Sequence, residues 1–255
     1  MKNIALCLYG QPRDYKNGKK NIFTLFDGLQ NFNVDVFINT WSPKEAYYKV
    51  SPYRNFDKST VTVEENIINN LKSFFMPEVI TYQDPIIFKK RKYKMSKLYK
   101  NTTSKIMKKN INNILSQIYS KNLVLNDFLK YQQRTKKKYD YVVGSRFDFY
   151  NNFDTNIENF DSSKINISSL SLRRFIRTDI VITDIYGLSN VYNAYENLDE
   201  LINNETLFKE MELIGENPVF NAEELTTMNY LYNCKNLNNV NYDSKIPNFI
   251  TIKKT

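Results

Sequence analysis

At 255 residues and 42% hydrophobic content, the chain is long enough to bury a substantial core without disulfide or metal staples. It contains no histidine, which excludes Ser-His-Asp and Cys-His catalysis and every His-ligated metal site. The formal net charge of +9 is local: ten Lys/Arg and no acid lie between Lys89 and Lys109, and four more Lys/Arg lie between Arg134 and Lys138, while the remainder has more acidic than basic residues.

The first predicted strand is the apolar run Ile4-Ala5-Leu6-Cys7-Leu8-Tyr9, ended by Gly10; an uninterrupted run of this kind suits a strand buried on both faces. Gln11-Pro12-Arg13 forms the following loop, and residues 21 to 29 place Ile22, Phe23, Leu25, Phe26 and Leu29 at helical spacing. Val34 to Ile38 is a second strand, running into Asn39-Thr40-Trp41. Residues 64 to 75 predict an amphipathic helix, with Ile67, Ile68, Leu71, Phe74 and Phe75 as its stripe, Thr62 and Glu65 as a capping box and Pro77 as its stop. Val79 to Tyr82 is a third strand, and the basic run after it reads as a loop or a solvated helix start. Residues 111 to 129 carry Ile111, Ile114, Leu115, Ile118, Leu125, Phe128 and Leu129 at helical positions, and Tyr141-Val142-Val143 is the next strand. Further strands are expected at 165–167, 180–186 and 249–252, with helices at 191–201 and 223–232. Strands alternate with helices through the first 150 or so residues. The fold class is therefore α/β, a mostly parallel central sheet flanked by helices with a mixed second half, in one domain spanning 1–255.

Cys7 and Cys234 are too few and too far apart for a disulfide framework, and no CxxC is present. A reducing compartment is expected. The apolar run Ile4 to Tyr9 is shorter than a signal or membrane segment. The expectation is a soluble, cytoplasmic protein, with contact at the membrane periphery at most.

In open α/β sheets, ligands bind at the carboxyl ends of the strands, and polar loops follow three of these strands. In the first, Gly10 would let a ligand approach the backbone and Arg13 offers a fork for phosphate or carboxylate; a plain strand-to-helix turn with a surface Arg is the bland alternative. Thr40, beside Trp41, would line a pocket or simply help fill the sheet edge. Asp148, just past the strand at 141–143, is placed to hold a divalent ion or to cap a turn. With no histidine, such an ion would be held mainly by oxygen, which favours Mn²⁺ or Mg²⁺.

The segments IALCLYGQPRDYK, VDVFINTW, NNILSQIYS and YDYVVGSRFDFY occur in this order. The chain thereby resembles, over roughly residues 3 to 232, a family of small glycosyltransferase-like proteins from bacterial surface-polysaccharide clusters and some large viruses. The resemblance implies a GT-A-type fold and a nucleoside-diphosphate sugar as donor, with an acidic motif holding Mn²⁺ or Mg²⁺ on the diphosphate. Asp148 matches the final Asp of that motif, Arg146 stands where a first Asp is usual, and Gly144 replaces the first Arg of an R-x-R-x-D pattern. Metal use would then rest on Asp148 alone, or Arg146 would supply part of the metal's charge. Gly10 and Gln11, with Thr40, would shape the nucleotide pocket, and Arg13 and Arg146 would stabilise the diphosphate. Gln117 and Tyr119 lie in the helix that faces the nucleotide in the family, though Tyr119 equally suits a core aromatic.

If transfer inverts configuration, a carboxylate near the anomeric centre suffices as general base. By spacing in relatives, Glu224 and then Glu223, at the start of the late helix, match this role; Asp184 is a further candidate on the acceptor side. Glu at a helix start is also favoured by the macrodipole alone. The basic run suits a lipid-linked or acidic glycan acceptor, or an anionic membrane surface. Two other readings stand beside this one. The run 89–109, with Tyr93 and Tyr99 interleaved, would suit nucleic acid, although no RNA or DNA module surrounds it. A catalytically inactive or non-sugar transferase on the same fold is the other.

Overall fold

The computed structural model describes residues 1–41, 49–50, 61–62, 66–84, 105–149, 155–168, 180–207, 209, 222–234, 242–243 and 249–252. Its centre is a mixed sheet. Strand β1 (Lys2–Gly10) lies between β2 (Phe32–Trp41) and β6 (Tyr141–Arg146), both parallel to it, and β5 (Val79–Gln83) extends the parallel set beyond β2. Beyond β6 every pairing is antiparallel, through β8 (Ile180–Thr183), β7 (Ile165–Ser168), β10 (Phe249–Ile252) and β9 (Tyr242–Asp243). A separate two-stranded ladder joins β3 (Lys49–Val50) to β4 (Val61–Thr62). The expected α/β class is what the structure has: a mixed sheet flanked by helices, parallel among β5, β2, β1 and β6 and antiparallel beyond.

β1 explains why its sequence has no polar alternation. Ile4, Leu6 and Leu8 pack with α1 (Tyr15–Phe23) and α2 (Ile67–Phe75) on one face, while Ala5, Cys7 and Tyr9 pack with α3 (Lys105–Thr135) on the other. A strand covered on both faces needs apolar residues at every position. The chain goes β1, β2, β5 in one direction across the sheet, then returns along α3 to place β6 on the far side of β1. The strand order therefore reverses between β1 and β6, the kind of position at which an open α/β sheet leaves a crevice at its carboxyl edge.

Several local elements differ from the sequence expectation. The helix expected from residue 21 begins instead at Tyr15, and the stretch Thr24–Phe26 is a 3-10 turn. Only Tyr15, Gly18 and Ile22 of α1 are buried, too few apolar side chains to announce its first two turns. Thr62 is no capping residue: it pairs with Lys49 in the small ladder, and α2 starts at Ile67 after Asn66 in the left-handed region. The strand expected at 180–186 stops at Thr183, because the Asp184 carboxylate accepts a bond from Gly187 N at 2.8 Å and starts α4 (Ile185–Tyr192). The helix expected at 191–201 is divided among α4, a 3-10 turn and α5 (Leu198–Asn203). The late helix, α6 (Ala222–Cys234), is present as expected. No described helix is long and apolar enough to cross a membrane.

Candidate functional site

The carboxyl ends of β1 and β6 bring together residues 130 or more positions apart in sequence. Tyr9 is level with Arg146 across the β1–β6 ladder, and Gly10 is level with Thr40 across the β1–β2 ladder. Gly10 ends β1 with φ +94, a conformation that side chains other than hydrogen rarely adopt, and a Cβ built there meets nothing within 4 Å. The Thr40 hydroxyl, fully buried, donates to the Gly10 carbonyl at 2.9 Å and fixes the exit of the chain. Gln11, half-buried, follows in the same loop.

Arg13, Arg146 and Asp148 meet at this edge. Arg146 donates from Nε to Asp148 Oδ1 at 2.9 Å and from Nη2 to Oδ2 at 2.8 Å, the two parallel bonds of a guanidinium–carboxylate fork. Arg13 Nε reaches the same Oδ2 at 2.7 Å. The three side chains are only 15–17% exposed, so water screens their charges far less than at an open surface. The cluster is seated by α1. A Cβ on Gly18 would stand 1.6 Å from the Phe147 carbonyl oxygen, so only glycine lets the helix lie against this backbone. Asn21 Nδ2 then donates to the Phe149 carbonyl at 2.9 Å, and the backbone on both sides of Asp148 is held.

Gly144, where the resemblance leads one to expect an arginine, has a local cause. A Cβ there would meet the Tyr192 hydroxyl at 2.2 Å and a Leu188 methyl at 2.9 Å. Tyr192 fills the volume over this position, so the strand can carry no side chain there.

On the α3 side of the same edge, Trp41 lies 6.2 Å from Tyr119, and Tyr119 lies 4.7 Å from Tyr195, centroid to centroid. Tyr119 is thus an aromatic packed at the end of β2, and Gln117 is half-buried two residues closer to the helix start. Lys121, two residues on, is fully buried. Its ammonium lies 5.6 Å from the centre of the Tyr9 ring and 5.8 Å from that of Tyr192, and it donates to Thr226 Oγ1 at 3.2 Å. That bond ties the first turns of α6, which contain Glu223 and Glu224, to the α3 side of the sheet; the side chains of these two glutamates lie outside the described residues. Lys121 was legible as an anomaly. It falls between Ile118 and Leu125 on the apolar stripe of α3, where a lysine has to find compensation.

Asp184 is not brought to this site. β8 runs antiparallel to β6 with Thr183 level with Val142, so Asp184 emerges at the opposite edge of the sheet, where it caps α4. Nearly all of the basic run lies outside the described residues, apart from 105–109 in the start of α3.

The divalent ion that the resemblance implies asks for about six oxygen ligands in near-octahedral array. Asp148 Oδ1 and Oδ2 already accept two N–H bonds from Arg146, and Oδ2 is also ion-paired with Arg13. Among the described residues, no group of three or more Cys, Asp or Glu side chains stands together to hold a metal. The donor set at Asp148 does not suit a divalent ion; it suits a fixed pair of guanidinium groups. No protein-family model and no curated protein matches the chain.

Proposed function

We propose that the chain is a glycosyltransferase of GT-A type that moves a sugar from a nucleoside-diphosphate sugar to a glycan or lipid-linked acceptor. The observation that carries this reading is the Arg13–Asp148–Arg146 cluster, at the carboxyl edge where the strand order reverses. In the transfer, an acceptor oxygen bonds to the anomeric carbon as the bond from that carbon to the diphosphate oxygen breaks. The electron pair leaves with the diphosphate, which gains negative charge. Two guanidinium groups with little exposure to water stabilise such charge best where it develops. The acceptor hydroxyl gives its proton to a carboxylate, Glu224 or Glu223. Tyr119, half-buried and backed by the buried Trp41 beside the same edge, offers an aromatic ring suited to the flat base of the nucleotide. The basic run 89–109 fits an anionic lipid-linked acceptor or the membrane that carries it.

The test is a thermal-melting panel of nucleoside diphosphates and their sugars, followed by chromatography for diphosphate release from the sugar that stabilises most. At about 100 times its dissociation constant, the cognate nucleotide raises apparent stability by about 2.7 kcal/mol. Turnover of its sugar derivative separates an active transferase from an inactive one on the same fold. A flat response to every nucleotide, with tight and salt-sensitive binding of an oligonucleotide, would replace this reading with the nucleic-acid one.

A further inference from the structure

We infer that the donor diphosphate is gripped without a divalent ion, with Arg13 and Arg146 supplying the positive charge and Asp148 acting as a positioning residue that orients them. The inference rests on the nucleotide-sugar reading above and states how that site recognises its anion.

Asp148 decides the matter. To ligate an ion it would have to give up an oxygen that already accepts from a guanidinium: Oδ1 holds Arg146 Nε at 2.9 Å, and Oδ2 holds both Arg146 Nη2 at 2.8 Å and Arg13 Nε at 2.7 Å. An ion arriving there would also sit beside two like charges with limited solvent between them, since all three side chains are at most 17% exposed. The backbone that carries the carboxylate is itself held in place. Phe147 and Phe149 on either side of Asp148 are buried, the Phe147 carbonyl lies against Gly18, and the Phe149 carbonyl is held by Asn21.

The same geometry suits an anion. The three side chains together carry two positive charges and one negative, and the fork to Asp148 fixes the plane of the Arg146 guanidinium, so that less freedom is lost when it binds a phosphate. The two arginines come from adjacent strands. Arg13 follows β1, Arg146 ends β6, and the Gly10 backbone beside them has open space where a side chain would project. A diphosphate spans two such neighbouring donors, whereas a metal site would need further carboxylates that are absent among the described residues.

Calorimetric binding of uridine, guanosine, cytidine and adenosine diphosphates, and of inorganic pyrophosphate, tests this in EDTA and in Mn²⁺. The expected result is one nucleoside diphosphate bound with similar affinity in both. Arg146→Lys keeps a charge but loses the fork, and Asp148→Asn keeps the shape but loses the charge that orients both arginines. Each should weaken binding about 10- to 100-fold, the value of one or two charge-assisted hydrogen bonds, and by the same factor in EDTA as in Mn²⁺. Melting curves establish that both variants fold. Nucleotide binding seen only with Mn²⁺ and abolished by Asp148→Asn would overturn the inference and leave the transferase reading intact. Binding in EDTA that neither variant weakens would also overturn it. Failure of every diphosphate to bind under either condition would sink both.

Discussion

Single residues in this fold are constrained more by their neighbours than by their own chemistry. Asp127 shows it. On α3 it is half-buried over the sheet, where its Oδ2 accepts from Thr81 Oγ1 at 2.6 Å, and Thr81 in turn accepts from Asn39 Nδ2 at 2.8 Å. Burial raises its pKa from the ordinary carboxylate value, only partly opposed by the Thr81 bond and by Lys130. Burial and the Asp127 charge together push the Cys7 thiol up, so the thiol stays protonated. For a carboxyl whose pKa is raised by folding, the native state holds the proton longer than the unfolded chain. Stability from this group is therefore greatest below the unfolded pKa and falls as pH climbs through the interval up to the raised native value. Asp127→Asn keeps an acceptor for Thr81 and removes that penalty. Its melting temperature relative to the wild type should rise between pH 4 and pH 7; an advantage that shrinks over that range would refute the assignment. None of this was legible in the sequence, where Asp127 is one polar residue on an amphipathic helix. Gly144 was legible only as a departure, and its cause, the Tyr192 hydroxyl in front of it, belongs to a residue 48 positions later.

Among elements, α1 carries the most consequence for the fewest buried side chains. It was also the least legible, since Lys16, Asn17, Lys19 and Lys20 give it no apolar period. Its placement depends on a small residue: Gly18 against the Phe147 carbonyl, with Asn21 latched to Phe149. Lys19 helps on the outer side, donating to the Phe74 carbonyl at 2.7 Å with its ammonium 4.4 Å from the Phe74 ring centre; desolvation there lowers its pKa. Gly18→Ala should cost about 1–3 kcal/mol or more by overpacking, since the listless alternative of rotating a side chain away is closed when the obstacle is backbone. Because α1 also seats Asp148, the same variant should lose diphosphate affinity, and Gly18→Ser no less. Calorimetry on the folded variant checks this; unchanged affinity would separate the helix from the site. The strands were the most legible elements. β1, β2, β5 and β6 carry apolar runs, which follow from burial on one or both faces. What the pattern could not contain was direction and order, because β6 pairs with β1 across more than a hundred residues.

At the scale of the molecule, the two edges of the parallel strands hold different kinds of polar group. The amino edge is built around Asp35, which is 5% exposed and accepts from Asn33, from the Tyr139 hydroxyl at 2.6 Å and from Lys137 at 2.6 Å. Burial and this carboxylate push the Tyr139 phenol well up. These contacts tie β2 to the turn before β6. The carboxyl edge holds the arginine pair. Asp35→Ala should therefore lower stability by about 3 kcal/mol, the cost of breaking a buried pair, and leave diphosphate affinity unchanged. Arg146→Lys should do the converse. Denaturation and calorimetry on the two variants check the division, and a common loss in both measurements would show the edges to be coupled. The candidate residues from the parallel strands and their loops, Gly10, Arg13, Thr40, Arg146 and Asp148, were legible because strand ends converge at one edge in this fold class. Asp184 lies at the opposite edge because strand direction changes after β6, and nothing in the tetrapeptide Ile180–Thr183 announces which way it runs.

The pairing of β1 with β6 also sets a clock on biosynthesis. β1 ends at Gly10 and β6 begins at Tyr141, so at ordinary ribosomal speeds on the order of ten seconds separates their emergence. Throughout that interval the central strand Ile4–Tyr9 has a neighbour on one side only, leaving an apolar edge open to other chains. Arg13 waits as long for Asp148, so the arginine cluster is assembled only late in synthesis. Yield on expression should depend on chaperones that shield short chains, and slower translation would lengthen the hazard rather than relieve it.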